Sequence, residues 1–298
     1  MITFNAINHA YPGEAEQALT DLSLEFGDST VTALVGPNGS GKTTLMQILS
    51  GLLPSSSGGV SINGTGMRPN DLLGYSVMAS SDRDFDNSSA GALVAYASLR
   101  PTWDQKLFDH YVQRFGFQMK RRKKVRKMSS GQAAILTGAV ALASGAPITV
   151  LDEIQAPLDV PTRYAFYEEL LTLAADALEG RRPRRTFLIS SHMVSELENV
   201  AEDVVALKNG RLLAHESVET FTSRICAITG NAADVERFLI NHPGLGVITS
   251  RTLGSAREIV VDLRGRGISD REIASHSLTL SPCTFQDAFA YLIQENDQ

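Results

Sequence analysis

The stretch LVGPNGSGKTTLMQILSG occupies residues 34–51 and joins two different sequence patterns. The run TVTALVG at residues 30–36 is β-branched and apolar, which predicts a buried strand. After Gly41 the apolar residues recur at helical spacing, and they are Leu45, Ile48, Leu49 and Leu52. A glycine-rich loop between a strand and a helix is typical of a phosphate-binding loop, although a chance glycine turn is the alternative.

This loop has the residue types needed to hold nucleotide phosphates. Small residues let backbone N–H groups surround an anion, and the start of a helix adds partial positive charge. Lys42 can reach the β- and γ-phosphates, and the hydroxyl of Thr43 can ligate Mg²⁺. The predicted phosphate cradle comprises Gly36, Pro37, Asn38, Gly39, Ser40, Gly41, Lys42, Thr43 and Thr44.

Composition restricts the classes of protein to which the chain can belong. Its 298 residues, 43% of them hydrophobic, suffice for one large domain or two modest ones with a real core. The net charge of −6 argues against a protein that mainly coats nucleic acid. Cys226 and Cys283 fit no metal-binding spacing and agree with a reducing cytosol. We expect neither a secretory signal nor a membrane span, since no run approaches ~18 apolar residues.

The run PITVLDE at residues 147–153 predicts a second buried strand that ends in two carboxylates. In a parallel sheet this end would lie on the same side as the phosphate loop. Asp152 could then hold the water shell of Mg²⁺, and Glu153 could accept a proton from an attacking water. Acidic residues often end strands for structural reasons, so the motif is informative only together with the phosphate loop.

A third motif, KMSSGQ, lies between these strands and begins a helix rich in alanine and leucine. Five motifs follow one another in the order found in ATP-binding subunits of ABC transporters, and they are the phosphate loop, MSSGQ, ITVLDE, APLD and LISSH. Residues 2–217 therefore resemble an ABC cassette. The resemblance implies an α/β fold of the phosphate-loop NTPase class, with a mixed-sheet core over residues 1–220 and a helical signature subdomain over about 79–145.

The resemblance also implies roles for residues around one nucleotide. Tyr11 matches the aromatic residue that stacks on adenine, although an ordinary exposed tyrosine in a turn is the alternative. His192, in LISSHMVSELE, matches the switch histidine near the γ-phosphate. The implied catalytic residues are Lys42, Glu153 and His192, and the implied Mg²⁺ ligands are Thr43 and Asp152.

Other matching residues would act across a pair of cassettes. Asp159 in APLD matches a loop that crosses the dimer interface. ATP would join the two cassettes, and its hydrolysis would let them separate. The signature motif, which in such proteins contacts the γ-phosphate held by the opposite subunit, matches Ser129, Ser130, Gly131 and Gln132.

The chain departs from the family pattern at three places. Ser130 stands where the signature has glycine, and Ile154 stands where proline usually follows the catalytic glutamate. The family has a strand ending in glutamine midway between the phosphate loop and the signature, and we expect Met78 to occupy that place here. A thioether is a poor Mg²⁺ ligand, so a carboxylate from Asp82 or Asp84 is a candidate substitute.

Residues 98–132 also resemble, more loosely, the helical subdomain of cassettes from the bacitracin-resistance exporter group. Within them, KRRKKVRK at residues 120–127 has three interpretations. The first is a solvated surface. The second is contact with anionic lipid or with an acidic loop of a membrane partner. The third, nucleic-acid binding, is disfavoured by the negative net charge and the lack of interleaved aromatic residues.

Residues 221–298 follow a different pattern from the cassette. Their periodicity predicts the order strand, helix, strand, strand, helix, strand, helix, which suggests a small α+β domain of ferredoxin-like type. Such a domain could stabilise packing or a dimer, or it could regulate the cassette.

These observations predict an ATP-binding and ATP-hydrolysing subunit of a bacterial ABC transporter. We expect MgATP, a second cassette as homodimer or heterodimer partner, and a separate permease that this exporter subunit drives from the cytoplasmic face of the membrane. One alternative is a soluble ABC ATPase that does not transport. Ribosome-remodelling members usually carry two cassettes, and chromosome-maintenance members need a long heptad insertion that is absent between Thr43 and Ser129. The other alternative is a heterodimer with one weak site.

Overall fold

The computed structural model describes residues 1–14, 16–81, 87–264, 268 and 270–295. Asp82 and Asp84 lie outside the described residues. The chain divides into two compact units. The first unit comprises Met1–Met193 and Asn199–His215, and the second comprises Val194–Glu198 and Glu216–Gln298. The division thus falls between His215 and Glu216, five residues before the predicted one, and a short segment after His192 belongs to the second unit.

The strands and helices are numbered in chain order. The strands are β1 (Ile2–His9), β2 (Leu19–Phe26), β3 (Val31–Val35), β4 (Ser57–Ile62), β5 (Thr65–Met67), β6 (Ser76–Ser80), β7 (Ile148–Asp152), β8 (Thr186–Ser190), β9 (Asp203–Lys208), β10 (Arg211–Ser217), β11 (Ile225–Asn231), β12 (Gly246–Leu253), β13 (Ala256–Asp262) and β14 (Thr279–Pro282). The helices are α1 (Lys42–Leu49), α2 (Pro69–Tyr75), α3 (Ala90–Ala97), α4 (Gln105–Arg114), α5 (Ser130–Ala143), α6 (Val160–Leu178), α7 (Val194–Leu197), α8 (Val218–Arg224), α9 (Ala232–Asn241), α10 (Asp270–Ser275) and α11 (Phe285–Glu295). A 3₁₀ turn covers Val125–Lys127.

The first unit contains two sheets. An antiparallel sheet has the strand order β2-β1-β4-β5, and a six-stranded sheet has the order β10-β9-β3-β8-β7-β6. The inner strands β3, β7 and β8 are buried along their whole length, as expected for parallel strands covered on both faces. They pair in parallel, so their carboxyl ends lie at one edge. The predicted α/β fold class is confirmed.

Helix α1 begins directly after Gly41 and buries one face in the core. That face consists of Thr44, Leu45, Met46, Ile48 and Leu49. The prediction that Leu52 continues it is wrong, since Leu52 is 57% exposed. The helix ends at Leu49, and Gly51 adopts a φ of 71°, which turns the chain before Leu52.

From β11 onward the second unit has the order of elements that its sequence predicts, and α8, which precedes β11, was not predicted. Its four-stranded sheet is antiparallel, with strand order β12-β13-β11-β14. This is the topology of the ferredoxin-like βαββαβ motif, followed by α11. Its core includes Ile228, Val235, Phe238, Ile259 and Val261.

Candidate active site

The loop between β3 and α1 surrounds a cavity of about 360 Å³. Gly39 and Gly41 have φ values of 78° and 97°, a region that favours glycine. A Cβ atom on Gly41 would lie 2.5 Å from the carbonyl oxygen of Ala18. The cavity is lined by Tyr11, Glu14, Glu16, Gln17, Ala18, Asn38, Gly39, Ser40, Gly41, Lys42, Thr43, Thr44 and Glu153.

Lys42 lies in the mouth of the loop. Its Nζ donates hydrogen bonds to the carbonyl oxygens of Gly36 at 2.8 Å and Pro37 at 3.0 Å. Burial lowers the pKa of Lys42, and the charges of Glu153 and Asp152 act in the opposite direction. The ammonium is therefore partly desolvated and lies among oxygen atoms, so an incoming phosphate would meet a cation that is already in place.

Asp152 ends β7 beside the first turn of α1. Thr43 Oγ1 donates to Asp152 Oδ2 at 2.9 Å. Ser190, buried at the end of β8, donates through Oγ to Asp152 Oδ1 at 2.5 Å. These contacts follow from the register of the sheet, in which Asp152 lies directly opposite Ser190.

A hydroxyl and a carboxylate side by side suit Mg²⁺, which prefers hard oxygen ligands. Among the described residues, no three His, Cys, Asp or Glu side chains converge as a metal site. Mg²⁺ bound here would therefore need phosphate oxygens in addition to Thr43 and Asp152, as expected for an ion that binds together with a nucleotide.

Glu153 follows Asp152 in a strained conformation, with a φ of 52°. Its backbone N–H donates to Ser190 Oγ at 3.0 Å, and its carboxylate Oε2 lies 3.4 Å from His192 Nδ1. The amide of Gln155 donates to the carbonyl oxygen of Ser190 at 2.8 Å. The structure thus brings together the predicted residues Lys42, Thr43, Asp152, Glu153 and His192.

Sequence reasoning missed Ser190 and Gln155. Both are buried, and Ser190 contacts Asp152 and the backbone of Glu153 at once. The only sequence signal was the position of Ser190 at the end of a buried run just before His192. That position reveals no contact unless the pairing of β7 with β8 is known.

Met78 is not the residue at the end of its strand. It lies in the middle of β6, opposite Val150, and packs against the core. Ser80 ends β6 opposite Asp152. Our placement of Met78 at the usual glutamine position is therefore wrong, because it lies two residues short of the strand end.

Tyr11 lies at the edge of the cavity. Its hydroxyl is 3.1 Å from Thr44 Oγ1, and its ring lies edge-to-face on the ring of His9, with centroids 4.9 Å apart. Both ring nitrogens of His9 are buried and have no hydrogen-bond partner among the residues that the structure describes. Tyr11 is thus held by neighbours on both sides, which suits the predicted stacking of its ring on adenine.

The signature residues lie apart from this cavity. Ser129 caps α5, accepting a hydrogen bond from the backbone of Gln132 at 3.2 Å, and both side chains are exposed. Gly131 lies so near the backbone that a Cβ there would be 3.0 Å from the carbonyl oxygen of Pro157. Asp159 is exposed and caps α6 by accepting from Thr162 N, and the pKa of its carboxyl is lowered by hydrogen bonds with Thr162. Neither the signature residues nor Asp159 line the cavity.

Comparison with known proteins identifies the family to which the cassette domain belongs. The family model described as ABC transporter matches residues 19–156. The chain contains an ABC transporter ATP-binding domain. The matched residues lie within the first unit and include the phosphate loop, the signature and the Asp152–Glu153 pair.

Relatives and solved structures extend over more of the chain. The human phospholipid-transporting ATPase ABCA7 is 29% identical over 224 residues, covering 71% of this chain and 10% of that protein. The ATP-dependent lipid A-core flippase of Xanthomonas campestris is 31% identical over 233 residues, covering 72% of this chain and 37% of that protein. The chain thus spans well under half the length of these curated relatives.

Solved cassettes share the fold. An ATP-binding subunit of an ABC transporter has a TM-score of 0.63 at 19% identity, covering 74% of this chain and 91% of that one. A dimeric cassette in a post-hydrolysis state, bound to ADP and Pi, has a TM-score of 0.61 at 19% identity, covering 73% and 99%. The resemblance to the bacitracin-resistance exporter group is not shown by these comparisons and stays a prediction.

The described helices were also compared with the requirements of a bilayer. None of them combines the length and hydrophobicity that a membrane-spanning helix needs.

Proposed function

We propose that this chain binds MgATP and hydrolyses it to drive a separate transmembrane permease, as an exporter subunit at the cytoplasmic face of a bacterial membrane. The observation that carries the proposal is the convergence of Lys42, Thr43, Asp152, Glu153 and His192 at one edge of a parallel sheet. A phosphate loop alone would support binding. A carboxylate and an imidazole beside it support hydrolysis.

Each residue has one task in this proposal. The N–H groups of the loop and Lys42 hold the phosphates, while Thr43 and Asp152 hold Mg²⁺, which neutralises charge that develops on the phosphate oxygens. Glu153 accepts the proton of the attacking water. The Nδ1 of His192 lies 3.4 Å from Glu153 Oε2. In this proposal His192 orients that carboxylate and contacts the terminal phosphate.

Two cassettes are needed in this proposal. The signature residues Ser129, Ser130 and Gln132 are exposed at the start of α5, and none of them lines the cavity of its own chain. The first turn of a helix offers free N–H groups and partial positive charge to an anion. A second cassette can therefore place Ser129 and the start of its α5 over the open side of the phosphate loop.

A groove in the first unit supports a membrane partner. It has a volume of about 440 Å³ and is bordered by α3, α5 and β6. Tyr96 and Leu99, at and just after the end of α3, are 76% and 77% exposed, although both are large and apolar. Arg100 donates to the carbonyl oxygens of Gly74 and Ser76 at 2.9 and 2.6 Å, which fixes the edge of the groove. We propose that a helical segment of the permease docks there, since apolar side chains at that exposure favour a covered state.

Export rather than import is supported by the names of the relatives, a phospholipid-transporting ATPase and a lipid A-core flippase. Their similarity to this chain extends over the cassette and does not identify the cargo.

The first experiment is to block hydrolysis with Glu153→Gln, add MgATP and measure mass by light scattering. We expect ATP binding and a change from monomer to dimer, while Lys42→Ala, the matched control, loses binding. Failure of the Glu153→Gln protein to bind ATP would overturn the proposal. ATP binding by a persistent monomer would favour the heterodimer.

The membrane partner is tested separately. Leu99→Glu should abolish co-purification of a multi-span membrane protein and leave basal ATP hydrolysis unchanged. Leu178→Glu is the control, because Leu178 is also apolar and 61% exposed but lies at the end of α6 and does not line the groove. Equal recovery of a multi-span membrane protein with both variants would refute the groove as its docking site. Failure of the parent protein to enrich any multi-span membrane protein would favour the soluble, non-transporting alternative.

A further inference from the structure

Residues 120–127, here called the basic segment, concentrate positive charge at one place. Seven of the eight residues are Lys or Arg, in a chain whose net charge is −6. Six of these seven side chains are exposed, and none forms an ion pair with any residue that the structure describes. Like charges this close repel one another, so their arrangement costs stability in an isolated cassette.

The basic segment is an ordered part of the fold. The backbone N–H groups of Gly91 and Ala90 donate to the carbonyl oxygens of Arg121 and Lys123, at 2.8 and 3.0 Å. Val125 is buried in the middle of the segment. A Cβ on Gly91 would lie 2.9 Å from the carbonyl oxygen of Arg121, so glycine permits this close approach. The cations are therefore held at a defined place.

That place adjoins the signature. Lys123 Nζ donates to the side chain of Gln132 at 3.0 Å, and the 3₁₀ turn with Arg126 and Lys127 leads directly to Ser129. A surface that covers the signature therefore also lies next to the basic segment.

The nucleotide cavity has the opposite charge at its outer edge. Glu14 and Glu16, here called the acidic rim, are exposed residues of the cavity lining. Neither carboxylate forms an ion pair with the described residues. The cavity thus has free negative charge on the side of Tyr11, beyond the reach of Lys42 in the loop.

We propose that the basic segment of one copy of this chain pairs with the acidic rim of a second copy, so that the cassette is a homodimer. The inference rests on the proposed ATP-dependent dimer, in which the signature of one cassette covers the phosphate loop of the other. Residues that precede the signature must then lie over residues that border the cavity. A two-fold axis repeats this contact, so both interfaces bring opposite charges together.

A second copy fits this charge pattern better than a membrane surface. The cations flank the motif that has to reach another cassette, and the complementary carboxylates belong to the same chain. Such pairing accelerates encounter and disfavours wrong partners more than it adds affinity. The dimer should therefore weaken as salt rises, because exposed charges are screened over about 10 Å at 0.1 M ionic strength.

The test uses reversed charges in the Glu153→Gln background with MgATP. One variant carries Arg126→Glu and Lys127→Glu, and the other carries Glu14→Lys and Glu16→Lys. In each variant alone, like charges meet at both interfaces. We therefore expect the dissociation constant of the dimer to rise at least about 10-fold. In an equimolar mixture, opposite charges meet at both interfaces again, so light scattering should show a dimer that contains one copy of each variant.

The control variant carries Lys106→Glu and Arg184→Glu at exposed positions. Lys106 lies on α4, and Arg184 lies before β8, at the edge of the sheet opposite the cavity. The control variant changes net charge by the same amount as Arg126→Glu with Lys127→Glu. It should dimerise like the parent protein. Binding of a fluorescent ATP analogue to each variant is measured in parallel, because loss of that binding in the parent would refute the proposed function rather than this inference. Dimers of both reversed variants, or a mixture that remains monomeric, would overturn the inference. The inference would also be overturned if the variant with Arg126→Glu and Lys127→Glu dimerised normally but, unlike the parent protein, did not bind vesicles containing anionic phospholipid. The basic segment would then serve a membrane surface.

Discussion

Replacement of Ser190 by alanine tests whether the chemistry depends on the contact between β7 and β8. The change deletes one buried hydroxyl, which donates to Asp152 Oδ1 at 2.5 Å and accepts from Glu153 N at 3.0 Å. Asp152 then keeps Thr43 as a partner but can rotate, and the strained backbone of Glu153 loses its anchor. A hydrogen bond to a charged group contributes about 1.5–3 kcal/mol. If about 2 kcal/mol of this positions the two carboxylates in the transition state, kcat falls roughly 30-fold.

The assay separates positioning from folding. Among the described residues, no hydrogen bond joins the phosphate loop to Ser190. The affinity for ATP should therefore change by less than about 3-fold, a difference of under about 0.7 kcal/mol. The rate is normalised to the ATP-binding sites present, so partial unfolding cannot imitate a loss of kcat. Ser50→Ala is the matched control, because it deletes a buried hydroxyl that has no hydrogen-bond partner in the described part of the chain. Ser190→Thr keeps the hydroxyl and should recover part of kcat. A Ser190→Ala protein that is folded and retains more than half of the parent kcat would refute the reasoning.

The remaining predictions concern stability, the loop, the base and the metal. Arg185→Met should lower the free energy of unfolding by about 2–4 kcal/mol in urea melts, since the buried guanidinium caps the carbonyl oxygens at the end of α5 with two bonds of 2.6 Å. Gly41→Ala should weaken ATP binding by at least about 10-fold in calorimetry. A Cβ there meets the carbonyl oxygen of Ala18 at 2.5 Å, and the φ of 97°, which glycine adopts freely, is strained for alanine. Tyr11→Ala should weaken ATP binding by about 10-fold, while Tyr11→Phe, which keeps the ring, should change it by less than about 3-fold. Thr43→Val should raise the Mg²⁺ concentration needed for half-maximal hydrolysis, and equal Mg²⁺ curves for parent and variant would contradict its role as a ligand.

Local patterns were sufficient for much of the fold. The strand, loop and helix around Gly41 were predictable from three signals that are adjacent in sequence. These are the end of the apolar strand run, the glycines of the loop and the helical spacing of the apolar residues that follow. The same holds for the order of elements in the second unit. Leu52 was misplaced because apolar spacing continues past the residue at which α1 ends. Met78 was misplaced because the end of β6 is decided by its pairing with β7.

The site shows the same division. Lys42, Thr43 and Asp152 were identified from motifs whose chemistry depends on residue type and short spacing. Ser190, Gln155 and the buried Arg185 carry no such signal, because serine, glutamine and arginine usually lie at the surface. Their roles arise from neighbours that are distant in the chain, such as Asp152 opposite Ser190 and the last turn of α5 beside Arg185.

The sequence by itself determined that this protein has a phosphate loop, a carboxylate pair after a buried strand, a signature helix and a βαββαβ unit, since each is encoded by spacing within a short segment. Tertiary structure decided which hydroxyl holds Asp152, which residue ends β6, and that the signature lies apart from its own nucleotide cavity. The physical reason is that strand register and helix placement are set by burial of whole faces in the core. A contact between two strands therefore exists only once the sheet has formed.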